Sequence, residues 1–185
     1  MAKASRFFYR IRLKKAAPYI KGDVLDIGCG PAFIVQMAKN IKTYTGIEFK
    51  EKAVENLKRK YPKNNFIRKD MENDKLNFKE KFDTIVLTAF VEHIANQNHL
   101  FSEISKAIKP GGIVLITTPT KTGNFIHGIF AHLGILAMEA KEDHKFIYAK
   151  KDFKNICRKY NFRLKKYLFF ELWLNQFVVL EKLTS

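Results

Sequence analysis

The nine residues Val24-Leu25-Asp26-Ile27-Gly28-Cys29-Gly30-Pro31-Ala32 constrain this chain more than any other stretch. An apolar run ends in an acid, turns on two glycines and meets a proline, a favoured first-turn residue of a helix. The pattern predicts a strand, a tight loop and a helix that starts at Pro31. Glycine has no Cβ, so a ligand can approach the backbone closely there. A helix start beside it would offer unpaired N–H groups and partial positive charge to a small anion such as a carboxylate.

Strands and helices alternate beyond this point. Strands are predicted at 23–27, 43–47, 65–68, 83–87 and 113–118. Helices are predicted from Pro31, over 51–60, over 98–108 with Pro110-Gly111-Gly112 closing it, and over 151–160. This βαβ rhythm implies a parallel sheet with helices on both faces. Two β-rich runs at 163–170 and 174–180 suggest a terminal hairpin. A length of 185 residues suits one domain, 1–185. Within it, 1–20 reads as a basic amphipathic helix with apolar Phe7, Phe8, Ile11, Leu13 and Tyr19, and 121–148 as an apolar, histidine-bearing insert.

The formal net charge of +16 favours an anionic neighbour, either nucleic acid or an anionic membrane surface touched peripherally. The lysines are spread along the chain and also serve as solvated helix faces. Cys29 and Cys157 lack metal-ligand spacing, and Cys29 sits in the glycine loop, so a reducing cytoplasm fits best. The first twenty residues lack the continuous apolar core of a signal peptide, and the most apolar stretch, Phe125 to Met138, is interrupted by His127 and His132.

Open α/β sheets bind ligands beyond the carboxyl ends of their strands. That rim gathers the glycine loop, Glu48 after the second strand, Asp70 after the third, and Thr88 to His93 after the fourth. An acid about 20 residues beyond the first glycine suits a ribose diol, whose two hydroxyls a carboxylate can accept. A dinucleotide fingerprint would need a third glycine where Phe33 stands, and the absence of Gly-Lys-Ser/Thr excludes a phosphate-binding P-loop.

These residues resemble the class I S-adenosylmethionine-dependent methyltransferases of small-molecule type. The resemblance is carried by Asp26-Ile27-Gly28-Cys29-Gly30 with Glu48, by Phe82-Asp83-Thr84-Ile85-Val86-Leu87, by Glu92-His93-Ile94, and by Ile108 to Pro119. It implies an α/β, Rossmann-like, doubly wound seven-stranded sheet of order 3-2-1-4-5-7-6, strand 7 antiparallel, in three α/β/α layers. S-adenosylmethionine is the implied cofactor and S-adenosylhomocysteine the product. The implied cofactor residues are Asp26, Gly28, Cys29 and Gly30 at the methionine part and Glu48 with Phe49 at the ribose. Asp70 and Met71 would flank the adenine, and Thr88 and Ala89 would lie beneath the sulfonium. Ala32 departs from the pattern, since many members carry glycine there.

Methyl transfer from a sulfonium is an in-line displacement that depends mainly on positioning. A general base is needed only for a poorly nucleophilic acceptor such as a hydroxyl. His93, His127 and His144 are the candidates for that role, with Tyr148 orienting the acceptor. His93 capping a helix, and His127 and His132 packing within the insert, are the structural alternatives. Glu92-His93 partly matches the metal-binding Glu-x-x-Glu-His of ubiquinone O-methyltransferases. The first glutamate would fall on Ala89, so no metal is expected. The apolar insert (Phe125, Ile126, Ile129, Phe130, Leu133, Ile135, Leu136, Met138) and the basic charge suit a small lipophilic or membrane-associated acceptor taking O- or N-methylation, by a monomer or homodimer. RNA is the alternative acceptor, but Thr88-Ala89-Phe90 is not the Asn/Asp-Pro-Pro-aromatic motif of adenine N-methyltransferases. A non-catalytic S-adenosylmethionine-binding subunit is the third reading.

Overall fold

The computed structural model describes residues 3–123 and 145–184. Helix α1 spans Lys3–Ala16 and a 3-10 turn spans Ala17–Tyr19. They are followed by β1 (Lys21–Ile27), α2 (Ile34–Met37), β2 (Asn40–Glu48), α3 (Glu51–Lys60), β3 (Asn65–Arg68) and β4 (Phe82–Thr88). A 3-10 turn at Val91–His93 leads to α4 (Gln97–Ala107), β5 (Ile108–Pro119), α5 (Lys150–Tyr160), β6 (Phe162–Phe170) and β7 (Asn175–Lys182).

The seven strands form one sheet in the order β3-β2-β1-β4-β5-β7-β6. β1 to β5 run parallel, and β7 is antiparallel to both β5 and β6. The central strands are covered on both faces, which is why they read as apolar runs rather than as alternation. One face carries a core of Leu100, Phe101 and Ile104 from α4 with Phe153 from α5. The other carries Leu13 and Ala16 from α1, Ile34 from α2, and Val54 and Leu57 from α3. The three-layer α/β/α arrangement and the strand order agree with the sequence expectation.

Local chemistry explains the helix limits. Asn96 caps α4, its side chain accepting from His99 N at 3.1 Å. Asp152 folds back onto the start of α5, accepting from Ala149 N at 2.8 Å. Asn161 ends α5 in a left-handed conformation, φ 58°. Glu51 opens α3 and Lys58, Arg59 and Lys60 close it, complementing the helix dipole.

Three expectations shift. The helix expected at Pro31 starts at Ile34 and lasts one turn, because Ala32 takes a left-handed φ of 53° before the backbone becomes helical. So short a helix carries little dipole, so anion binding at its start is not supported. β5 begins at Ile108, with Pro110-Gly111-Gly112 inside the strand as an irregularity opposite Phe82–Thr84. In α1 the core-facing residues are Tyr9, Leu13 and Ala16, at helical i, i+4, i+7 spacing, with Ile11 half-buried. The apolar residues of the insert, with His127, His132 and His144, lie outside the described residues.

Candidate active site

The glycine loop leaves β1 between two supports. Gly28 N and Cys29 N both donate to Ile47 O at 2.9 Å, tying the loop to β2. From α1, the Tyr9 hydroxyl donates to Cys29 O at 3.2 Å. Gly28 has φ 72°, and a Cβ there would fall 2.1 Å from the Phe90 ring. Gly30 has φ 49° but open space where a Cβ would project. One glycine therefore serves internal packing, and the other leaves a bare surface.

Glu48 ends β2 and faces this loop. Its Oε2 accepts from Gly30 N at 3.2 Å, and its Oε1 from Phe49 N at 2.9 Å and Lys50 N at 3.3 Å. Phe49 is 55% exposed, with the Arg68 guanidinium 5.5 Å from its ring centroid. Asp70 organises the next turn, accepting from Glu72 N at 3.0 Å and Asn73 Nδ2 at 3.2 Å. Met71 is buried in the α4-side core.

Beneath the loop, Asp26 is fully buried. Its Oδ2 accepts the Tyr44 hydroxyl at 2.7 Å, while Oδ1 has no partner. Burial pushes its carboxyl up to about 7, against the Tyr44 hydrogen bond and with help from the nearby Glu48 charge. Burial likewise pushes the Cys29 thiol up, so Cys29 is packing and not a nucleophile.

At the end of β4, Ala89 has φ 49° and donates from its N–H to Thr117 O at 2.8 Å. Thr88 and Thr117 are paired in the strand register, and the hydroxyl of each is buried without a partner. His93 lies half-buried in the following turn. Burial, then Lys145 and Arg12, hold its pKa below the ordinary histidine value, which favours the neutral ring. Glu92 has a clamping role. Its Oε2 accepts from Thr118 Oγ1 at 3.0 Å, and its carbonyl accepts Lys145 N at 2.9 Å and Phe146 N at 3.2 Å.

Tyr148 is 3% exposed and stacks on Phe153 with centroids 5.0 Å apart. Burial, Glu92 and Asp152 raise its pKa, so the phenol remains protonated and cannot act as a base. It lines a cleft of about 340 Å³ with Thr120, Tyr167, Phe169, Trp173 and Gln176.

A methyltransferase-domain family model matches residues 4–167. The chain belongs to that family. A ubiquinone biosynthesis O-methyltransferase of Rickettsia prowazekii is 29% identical over 135 residues, covering 68% of this chain and 52% of that protein. The chain thus spans about half the length of the curated relatives it matches. Two solved S-adenosylmethionine-dependent methyltransferases share the fold. The one from Mesorhizobium loti has TM-score 0.71 and 15% identity, covering 92% of this chain and 95% of that one. The one from Clostridium acetobutylicum has TM-score 0.66 and 13% identity, covering 96% and 90%.

The methyltransferase domain's own residues fit S-adenosylmethionine. The ligand carries an ammonium and a sulfonium, and the loop is flanked by two carboxyl groups, those of Asp26 and Glu48. Asp26 Oδ1, Thr88 Oγ1 and Thr117 Oγ1 are buried acceptors without partners. Gly28, Cys29, Gly30, Glu48, Phe49, Thr88 and Ala89 lie along one rim, with Asp70 at the end of the next strand. Sequence reading missed Tyr9, Tyr44 and Phe90, which hold the loop. The i, i+4, i+7 spacing of Tyr9 with Leu13 and Ala16 was the available signal for the first. Tyr44 and Phe90 act through contacts made only when the strands assemble.

Proposed function

We propose that this chain transfers the methyl group of S-adenosylmethionine to an oxygen of a small aromatic acceptor. The cofactor supplies an electrophilic methyl on a positively charged sulfur. The chain's residues bind, orient and exclude water. The observation that carries the donor half is the Gly30–Glu48 arrangement, bare backbone beside a carboxylate at the end of β2. The acceptor half rests on the cleft walled by Tyr148, Tyr167, Phe169 and Trp173, of the size range used for small ligands. Relatives named as O-methyltransferases favour oxygen as the methylated atom.

A hydroxyl acceptor must lose a proton, and His93 is suited to take it, because the surroundings that lower its pKa keep the ring neutral at pH 7. His144 remains a second candidate from the sequence. The net charge of +16 supports a peripheral contact with anionic membrane, as do Leu172 and Trp173, 92% and 72% exposed at the turn after β6. The free cysteines support a reducing, cytoplasmic setting.

Titration of the purified chain with S-adenosylhomocysteine tests the donor half. Saturable binding with one site supports it, and a folded protein that gives no heat overturns it. Methyl-labelled donor offered with a panel of phenols and aromatic amines tests the acceptor half, where label on nitrogen alone would refute O-methylation.

A further inference from the structure

Most of the exposed apolar surface among the described residues gathers at one place. Of six exposed large apolar side chains, four (Phe146, Phe169, Leu172 and Trp173) lie in or beside the aromatic cleft. Phe169 and Trp173 line it, and Phe146 packs on its Tyr148 wall with ring centroids 4.6 Å apart. Leu172 precedes Trp173 in the turn between β6 and β7, and these two are the most exposed of the six. Scattered single apolar residues need no explanation, but a cluster beside a cleft marks an interaction surface.

The turn holds these side chains out in water by construction. Glu171, Leu172 and Trp173 take φ values of 51°, 54° and 63°, left-handed at three successive non-glycine residues. Such a shape persists only when its surroundings impose it. Thr120 does so from the end of β5, donating from Oγ1 to Trp173 O at 2.7 Å and from N to Leu174 O at 2.9 Å. Beneath the turn, Glu171 is tied to Asn175 and stands 3.9 Å from Arg12 Nε. Two exposed cations adjoin the same cleft. Lys121 lines it, and Lys150 Nζ lies 5.4 Å from the ring centroid of Tyr167 on its wall. Among the described residues neither lysine is in an ion pair.

A single-stranded nucleic acid covers cations and aromatic faces but leaves a protruding leucine in water. A bilayer takes all three, with indole at the level of the headgroups, leucine below it and lysines against anionic phosphates. We propose that the β6–β7 turn, with Lys121 and Lys150, docks on an anionic lipid bilayer. Leu172 and Trp173 enter the interface, and the aromatic cleft opens onto the leaflet. This assigns a surface to the peripheral contact named above and rests on the acceptor reading only in taking the cleft as the acceptor site.

Trp173 is the only tryptophan in the chain, so its emission reports directly on the turn. The full chain is titrated with phosphatidylcholine vesicles and with vesicles of equal parts phosphatidylcholine and phosphatidylglycerol, without nucleoside or acceptor. The anionic vesicles are expected to co-sediment the chain, to blue-shift Trp173 and to quench it when their lipid is spin-labelled near the top of the acyl chain. Roughly 0.5 M sodium chloride weakens this by screening. Asparagine tolerates the left-handed conformation, so Leu172→Asn keeps the melting temperature while losing at least tenfold in vesicle affinity. Lys121→Glu combined with Lys150→Glu loses as much. Sedimentation without a change in Trp173 emission overturns the proposal, because charge alone then binds through another face. So does the absence of sedimentation, Leu172→Asn binding as tightly as wild type, or a blue shift with polyuridylate and none with vesicles. Failure to bind S-adenosylhomocysteine, measured separately, counts against the donor reading and leaves the vesicle result unaffected.

Discussion

The Glu48 carboxylate accepts a hydrogen bond from the Gly30 N–H at 3.2 Å, joining the end of β2 to the loop that follows β1. Its other oxygen is fixed by the N–H groups of Phe49 and Lys50. The carboxylate is therefore oriented before any ligand arrives, which lowers the entropy cost of binding a diol. Hydrogen bonds to a charged group contribute about 1.5–3 kcal/mol. Glu48→Ala should therefore weaken S-adenosylhomocysteine binding roughly 10- to 100-fold, measured by titration, with an unchanged circular dichroism spectrum.

Gly28 and Gly30 should respond differently to alanine. Both have positive φ, but only at Gly28 does a Cβ meet a side chain, Phe90 at 2.1 Å. A left-handed alanine costs about 1–2 kcal/mol. Gly30→Ala should lose about that much in denaturant unfolding and retain its structure. Gly28→Ala should lose more, and Gly28→Ala with Phe90→Ala should recover part of the difference. Equal losses for the two single variants would refute this division.

Asp26 should make the fold less stable as pH rises. Its carboxyl titrates near 7 in the folded chain against an ordinary value of 3.8. Between those values the native state holds a proton that the unfolded state has released. Its contribution is therefore fully present below about pH 4 and is lost by about pH 7. A tenfold difference in proton affinity between the two states is worth about 1.4 kcal/mol. Asp26→Asn should flatten this decline, so the variant gains in Tm relative to wild type between pH 5 and about 7.5. A parallel pH dependence of Tm in both proteins would count against the assignment.

His93 should set the acid limb of turnover on a hydroxyl acceptor. Burial with Lys145 and Arg12 keeps its pKa below the ordinary histidine value, so kcat should fall only at pH below that value. His93→Gln should lower kcat by roughly 10²–10⁴ with little change in donor affinity. Lys145→Met should shift the limb upward, because a neighbouring cation is removed.

Glu92 ties neighbouring elements together. Its carboxylate accepts from Thr118 and its carbonyl holds Lys145 and Phe146. Leaving a buried carboxylate short of a donor costs about 1–3 kcal/mol. Thr118→Val should reduce unfolding stability by that amount.

The strands, the glycine loop and Glu48 were readable because each depends on local chemistry, while the strand order was an expectation from the family resemblance. Apolar runs of strand length, glycines where φ is positive and an acid at a strand end leave marks within a few residues. The helix at Pro31 was misplaced because Ala32 reaches a left-handed φ that propensity does not foresee. Tyr148 reads in sequence as a residue that orients the acceptor, whereas its stacking on Phe153 and its retained proton are set by the assembled core.

By itself, then, the sequence determined the strands and the glycine loop that ends the first of them. Periodicity and turn chemistry act between near neighbours and need no knowledge of the whole fold. Only the tertiary structure decided what stands beside that loop. β7 runs antiparallel between β5 and β6, bringing the Glu171 turn back to the end of β5, where α1 presents Arg12. No local propensity encodes that meeting, because it exists only once strands distant in sequence have paired and two charges are buried between them.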